Sequence, residues 1–244
     1  MRTISLSSMA ATVALTAAVA AAPAAVAAPP PLKSISYSLD AVPPPISGQI
    51  PTSLTFTATG GFGLDLKSVP TQCGSAAAQL NPPDCPATSQ IASGTVSVEI
   101  LVKGAPYSHT TRPFKIYRGS GTQVWLIAAI TGYKVASGTL TASGGTVTLT
   151  VNIPSIRIPV SSVTIQFQGL TMNLGARYVT VTRRRVSRRI RVHGRVKNVH
   201  RTVTTSRWGN LLSTPACSGG QWQGAITAGL SSGDVTIPTP LACR

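Results

Sequence analysis

The sequence predicts an all-β protein: an antiparallel β-sandwich with a protruding basic β-ribbon and two local disulfides. Three observations lead there. Gly, Ser, Thr, Val and Ala dominate while charged residues make up 11% of the chain, so little material exists for amphipathic helices with Glu, Lys and Leu at helical spacing. Apolar residues recur with a two-residue period in short runs separated by Gly, Pro and Ser clusters, which is the pattern of half-buried strands joined by turns. Four cysteines, spaced so that two short local loops can close, suit an oxidising compartment.

The first stretch is a targeting segment. Met1-Arg2 is followed by an alanine-rich apolar run to Ala28, with small residues at Ala25 and Ala27. This predicts a secretory signal peptide over 1–28, cleaved after Ala27 or Ala28. An uncleaved membrane anchor is the competing reading, but alanine inserts weakly beside leucine or isoleucine. No later apolar run reaches membrane-spanning length, so no transmembrane helix is expected after signal removal. The expected protein is secreted, extracellular or at the cell surface, with 29–244 as one β-sandwich domain and 183–207 as a basic hairpin insertion.

In that domain, prolines at 29–31 and 43–45 bracket Ile35-Ser36-Tyr37-Ser38-Leu39, which reads as an edge strand because proline cannot donate to a central ladder. Leu54, Phe56 and Ala58 alternate with threonines as far as Gly60-Gly61-Phe62-Gly63. That glycine cluster is a turn, since it lacks the Gly-Lys-Ser/Thr ending and following helix of a phosphate loop.

Cys73 and Cys85 enclose Asn81, Pro82 and Pro83. A bridge closing a loop of this size removes about 3 kcal/mol of unfolded-chain entropy. It pins the start of a strand in which Val96, Val98, Ile100 and Val102 alternate with polar residues. The spacing is too long for a redox pair and no histidine lies between the two cysteines, so neither redox chemistry nor metal binding is expected. Two segments also resemble a known group. Cys85-Pro86-Ala87-Thr88-Ser89-Gln90-Ile91-Ala92-Ser93-Gly94-Thr95, with a second cysteine upstream, and Thr214-Pro215-Ala216-Cys217 followed by Gly220-Gln221-Trp222 and Cys243, are similar to segments of poorly characterised secreted β-rich proteins of actinobacteria. The resemblance covers about a quarter of the chain. It implies export and β structure, and no activity.

Further along, Phe114 and Ile116 form a short strand closed by Gly119-Ser120-Gly121, and Val124 to Ile130 is apolar at both parities, as in a strand buried on both faces. Leu140 and Ala142 lead into Ser143-Gly144-Gly145, and Val147, Leu149, Val151 and Ile153 lead out, which makes a hairpin. Val163, Ile165 and Phe167 resume the period. Trp222, Gly224, Ile226 and Ala228, then a turn at Ser231-Ser232-Gly233-Asp234 and Val235 and Ile237, make a closing hairpin that a Cys217–Cys243 bridge would clamp.

Charge is concentrated in one place. The formal net charge is +16, and Arg183 to Arg207 carries ten of the 21 Lys and Arg residues, with His193 and His200 and no acid. Arg189, Arg191, His193, Arg195 and Lys197 alternate with Ile190, Val192, Gly194 and Val196. On one strand this places the cations on one face about 6.6 Å apart. Arg183, Arg184, Arg185, Arg188, Arg189, Arg191, Arg195, Lys197 and Arg201 are therefore the expected polyanion-binding set, guanidinium groups being suited to bidentate capture of phosphate or carboxylate. For an exported protein the expected partner is an anionic cell-wall polymer or an anionic lipid surface. Nucleic acid is not expected, because no aromatics interleave with the cations to stack on bases. The plainer reading is a solvated insertion whose charge keeps an edge strand from aggregating.

No catalytic residues, metal ligands or cofactors are expected. Asp40, Asp65, Asp84, Glu99 and Asp234 are isolated from one another, whereas glycan hydrolysis needs paired carboxylates. No nucleophile elbow with a histidine oriented by an acid is expected. Asp84 suits a turn better than calcium, and His193 and His200 would face opposite sides of one continuous strand. The expected function is a structural or adhesive surface protein. The rival is an envelope enzyme or enzyme inhibitor, which a convergence of an acid with His109 or a serine would favour.

Overall fold

The computed structural model describes residues 33–40, 46, 49–129, 133–153, 163–192, 195–215 and 221–242. The signal peptide expected over 1–28 and the pairing expected of Cys217 with Cys243 lie outside the described residues.

The alternating runs are strands: β1 (Ile35–Leu39), β2 (Ser53–Thr59), the two-residue β3 (Gly63–Leu64), β4 (Gln90–Val102), β5 (Ala105–Arg118), β6 (Gln123–Ala129), β7 (Tyr133–Ser143), β8 (Thr146–Asn152) and β9 (Val163–Leu174). After them come β10 (Arg177–Val192), β11 (Arg195–Asn210), β12 (Leu212–Ser213), β13 (Gln221–Leu230) and β14 (Gly233–Ala242). Helix among the described residues is limited to the α-turn Ser75–Ala78 and the 3-10 turns Leu66–Ser68 and Ala87–Ser89. The protein is thus mostly antiparallel β, as its composition requires.

Ten strands share one hydrogen-bonded sheet, in the order β1-β9-β4-β5-β6-β7-β8-β2-β13-β14. The run β4 to β8 pairs each strand with its successor. Two strands are placed non-locally: β9 returns to lie between β1 and β4, and β2 lies between β8 and β13. The two ends of the order, β1 and β14, approach within 8 Å of each other at Cα. The β7–β8 hairpin turns on Gly144 and Gly145, at φ 56° and 76°. Left-handed backbone at both central residues matches the twist of the flanking strands and favours glycine.

The period of two decides which side chains meet. Leu54, Phe56 and Ala58 of β2, Val147, Leu149 and Val151 of β8, and Ile226 and Ala228 of β13 all face a single core. Tyr37 and Phe56 meet edge to face at 5.3 Å there, and Phe62 meets Trp222 at 5.2 Å. The opposite faces carry hydroxyl pairs, Thr55 with Thr150 at 3.1 Å and Thr227 with Thr236 at 2.9 Å. Such cross-strand pairs are the unit of sheet stabilisation on a wet face.

Strand β6 is buried on both sides, as its sequence predicts. Val124 and Ala128 belong to the main core, while Trp125 packs in a second cluster with Cys73 and Ala78. That cluster is the loop closed by the Cys73–Cys85 disulfide. Trp125 Nε1 donates to the Cys73 carbonyl at 3.1 Å, and the Cys73 amide donates to Arg118 O at 2.7 Å. The stapled loop therefore roofs β5 and β6, besides leading into β4. Strand β5 differs from expectation in length: it begins at Ala105, far upstream of Phe114. Residues 105–109 and 111–113 are exposed, so no apolar period marks them.

Candidate functional site

The basic segment is a two-stranded ribbon in which β10 and β11 pair only with each other among the described residues. Thr and Val flank the arginines at 179–182 and 202–205, and these β-formers extend the ribbon beyond 183–207 to Arg177 and Asn210. Its base is tied to the sheet. The buried Tyr178 hydroxyl donates to Gln90 O at 2.6 Å, and burial raises its pKa while the nearby Arg118 charge opposes that rise. The Arg177 guanidinium lies 5.4 Å from the centroid of the Trp208 ring, a cation–π contact. Trp208 thus caps the ribbon base.

Above the base the ribbon is solvated. Val181, Val186, Val199 and Val203 are 41–52% exposed, so neither face is covered by another layer. In an antiparallel pair, residues directly opposite share a face and successive rungs alternate faces. One face therefore holds Arg183 with Thr204, Arg185 with Thr202, Ser187 with His200 and Arg189 with Asn198. The other holds Arg184 with Val203, Val186 with Arg201 and Arg188 with Val199. The first face is polar at every one of these rungs. On the second, cation and valine exchange strands from rung to rung.

This corrects the sequence reading of one cationic face along an unbroken strand from Arg189 to Lys197. Val192 pairs with Arg195, Arg191 with Val196 and Ile190 with Lys197, so the chain reverses within that run. The reversal lets the backbone amides and carbonyls of the two halves satisfy each other, which one isolated strand cannot do. Its register puts Arg195 and Lys197 on the face opposite to Arg189 and Arg191. For Arg191, Arg195 and Lys197 only the backbone register is described, and His193 lies outside the described residues. The expected set is thereby divided, with Arg183, Arg185 and Arg189 on one face and Arg184, Arg188 and Arg201 on the other.

Elsewhere the titratable groups are scattered. Glu99 and His109 are register partners on β4 and β5, and Glu99 accepts a hydrogen bond from Gln168 at 3.0 Å. His109 is exposed, and no ion pair joins the two. Asp65 caps the Leu66–Ser68 turn through the Lys67 amide at 3.0 Å, and Asp40 accepts from Ser38 at 2.6 Å. Among the described residues no three His, Cys, Asp or Glu side chains cluster as metal ligands would, and no helix is long and apolar enough to cross a membrane. No family model matches the chain, and no curated protein or solved structure matches it.

Proposed function

We propose that this is an exported structural or adhesive surface protein that holds an anionic envelope polymer on the β10–β11 ribbon. One observation carries the reading. The face of Arg183, Arg185 and Arg189 aligns three guanidinium groups on one strand beside Thr204, Thr202 and Asn198 on the other, in a segment without a carboxylate. Positions two apart on a strand lie about 6.8 Å from each other. A flexible chain with repeating phosphates or carboxylates can meet the arginines in succession and hydrogen-bond to the neighbouring hydroxyls and amide. The exported nature of the chain rests on its alanine-rich leader and on the actinobacterial resemblance.

The same proposal takes the ten-stranded body as a nearly closed, flattened barrel in preference to two separate sandwich sheets. A single hydrogen-bond network and the approach of β1 to β14 support that choice. A Cys217–Cys243 bridge belongs to it as the clasp leading into the closing hairpin.

The test is co-sedimentation with purified anionic cell-wall polymer over a salt series. Neutralising the three aligned charges predicts a log–log slope of roughly −3, by the counterion-release relation. The triple variant Arg183→Ser, Arg185→Ser, Arg189→Ser should lose that slope and most of the affinity. Retention of full, salt-dependent affinity by the triple variant would overturn the assignment.

A further inference from the structure

The interior of the rolled sheet is not filled. A cavity of about 120 Å³ lies among β2, β4, β5, β6, β7, β8 and β9. Phe56, Val96, Phe114, Leu126, Ala136 and Phe167 line it, and every other lining residue is apolar too. Its size is comparable with the roughly 150 Å³ apolar cavity that accepts a benzene-sized molecule. Two interior positions that face it, 128 and 136, carry alanine, where strand-favoured valine or isoleucine would add the missing volume. A void of this size weakens a core as a large-to-small substitution does, so its retention needs a reason.

The cavity also reaches solvent. Val96, Leu126, Ile153 and Ile165 line it and are only half-buried. The cross-strand partner of Val96 on β5 is Arg112, two residues before Phe114 on the same face. Arg112 is exposed and has no ion-pair partner among the described residues. A cation thus stands beside a cavity with no polar lining.

We infer that the cavity is a binding site for the alkyl chain of a medium-chain fatty carboxylate, whose carboxylate stays at the mouth against Arg112. The absence of polar lining excludes any polar group from the interior, which would lose its hydrogen bonds there. The charge of Arg112 selects an anionic head over a neutral one.

The test uses isothermal titration of the full-length protein carrying the Arg183→Ser, Arg185→Ser, Arg189→Ser changes, which removes the aligned arginine face of the ribbon; chain-length dependence and Arg112→Gln then separate the cavity from the remaining ribbon cations. The ligands are butanoate, hexanoate, octanoate and decanoate, with 1-octanol as the neutral control. Affinity should rise about fourfold per added methylene and level off once the cavity is full. Ala136→Leu should reduce octanoate affinity at least tenfold in a protein with unchanged circular dichroism; if that variant does not fold, Ala128→Val tests the same point. Arg112→Gln should weaken octanoate binding and leave 1-octanol binding as it was. No binding of octanoate, affinity independent of chain length, or full affinity in the folded filled variant would each overturn the site. Equal binding of octanoate and 1-octanol, unaltered by Arg112→Gln, would overturn the carboxylate assignment.

Discussion

Strand β8 and the ribbon strands β10 and β11 are written in similar residues, yet they end in opposite surroundings. In β8, Val147, Leu149 and Val151 are 0–1% exposed, whereas Val186, Val199 and Val203 of the ribbon are 41–44% exposed. Both regions have the β-branched side chains that favour extended backbone, and both form antiparallel ladders. The difference lies in what stands opposite. Across β8 the facing strands present Phe56 and Leu140, its register partners at Leu149, within a common core. Across the ribbon, each of these valines meets an arginine on its own face and nothing packs above them. Local sequence makes a strand; a second apolar surface makes it core.

The strongest way to break this comparison is to place the same charge in both regions. Leu149→Asp should cost about 4 kcal/mol through a buried, unpaired carboxylate. Val199→Asp in the ribbon should move stability by no more than about 0.5 kcal/mol. Urea unfolding of the two variants measures both, and equal effects would contradict the division into core and solvated ribbon. Next in size is the stapled loop. Replacing Cys73 and Cys85 together by serine should cost about 3 kcal/mol, and the Trp125 fluorescence should report loosening of the roof over β6.

A smaller effect is expected at the junction. Tyr178→Phe removes a hydrogen bond to Gln90 and should cost about 1 kcal/mol. It should also flatten the alkaline limb of stability. Burial makes Tyr37 and Tyr178 hold their protons more tightly in the folded chain. The unfolded chain gives them up first, so stability is full below the ordinary tyrosine value of about 10 and falls as pH rises beyond it. Thermal melts from neutral to strongly alkaline pH test this. The smallest effect separates the two regions completely. Exchanging residues 181–206 for a two-residue Asn-Gly turn should change the stability of the body by less than about 0.5 kcal/mol while removing polymer binding. A large loss of stability would show that the ribbon is part of the core.

Much of this was legible in the residues. The strands carrying Leu54, Leu149 and Ile226 stand out because one face of each is apolar and the other threonine-rich. The β7–β8 turn is legible because Gly144-Gly145 suits left-handed backbone. The Cys73–Cys85 bridge follows from a short loop in a chain read as exported. Two features were hidden. The exposed half of β5, from Ala105, carries no apolar period. Within the expected hairpin, the position of the reversal was masked because Arg189 to Lys197 keeps a perfect alternation of cation and small or aliphatic residue on both sides of it.

The sequence alone therefore determined the conformational class: β-branched and small residues in two-residue register, punctuated by Gly and Pro, leave extended antiparallel backbone as the accessible state. Which strands became neighbours, which valines were covered and which arginines share a face came from the assembled fold. Pairings such as β9 with β1 and β2 with β13 join segments more than a hundred residues apart. They arise from the shape of the assembled core, to which no local pattern has access.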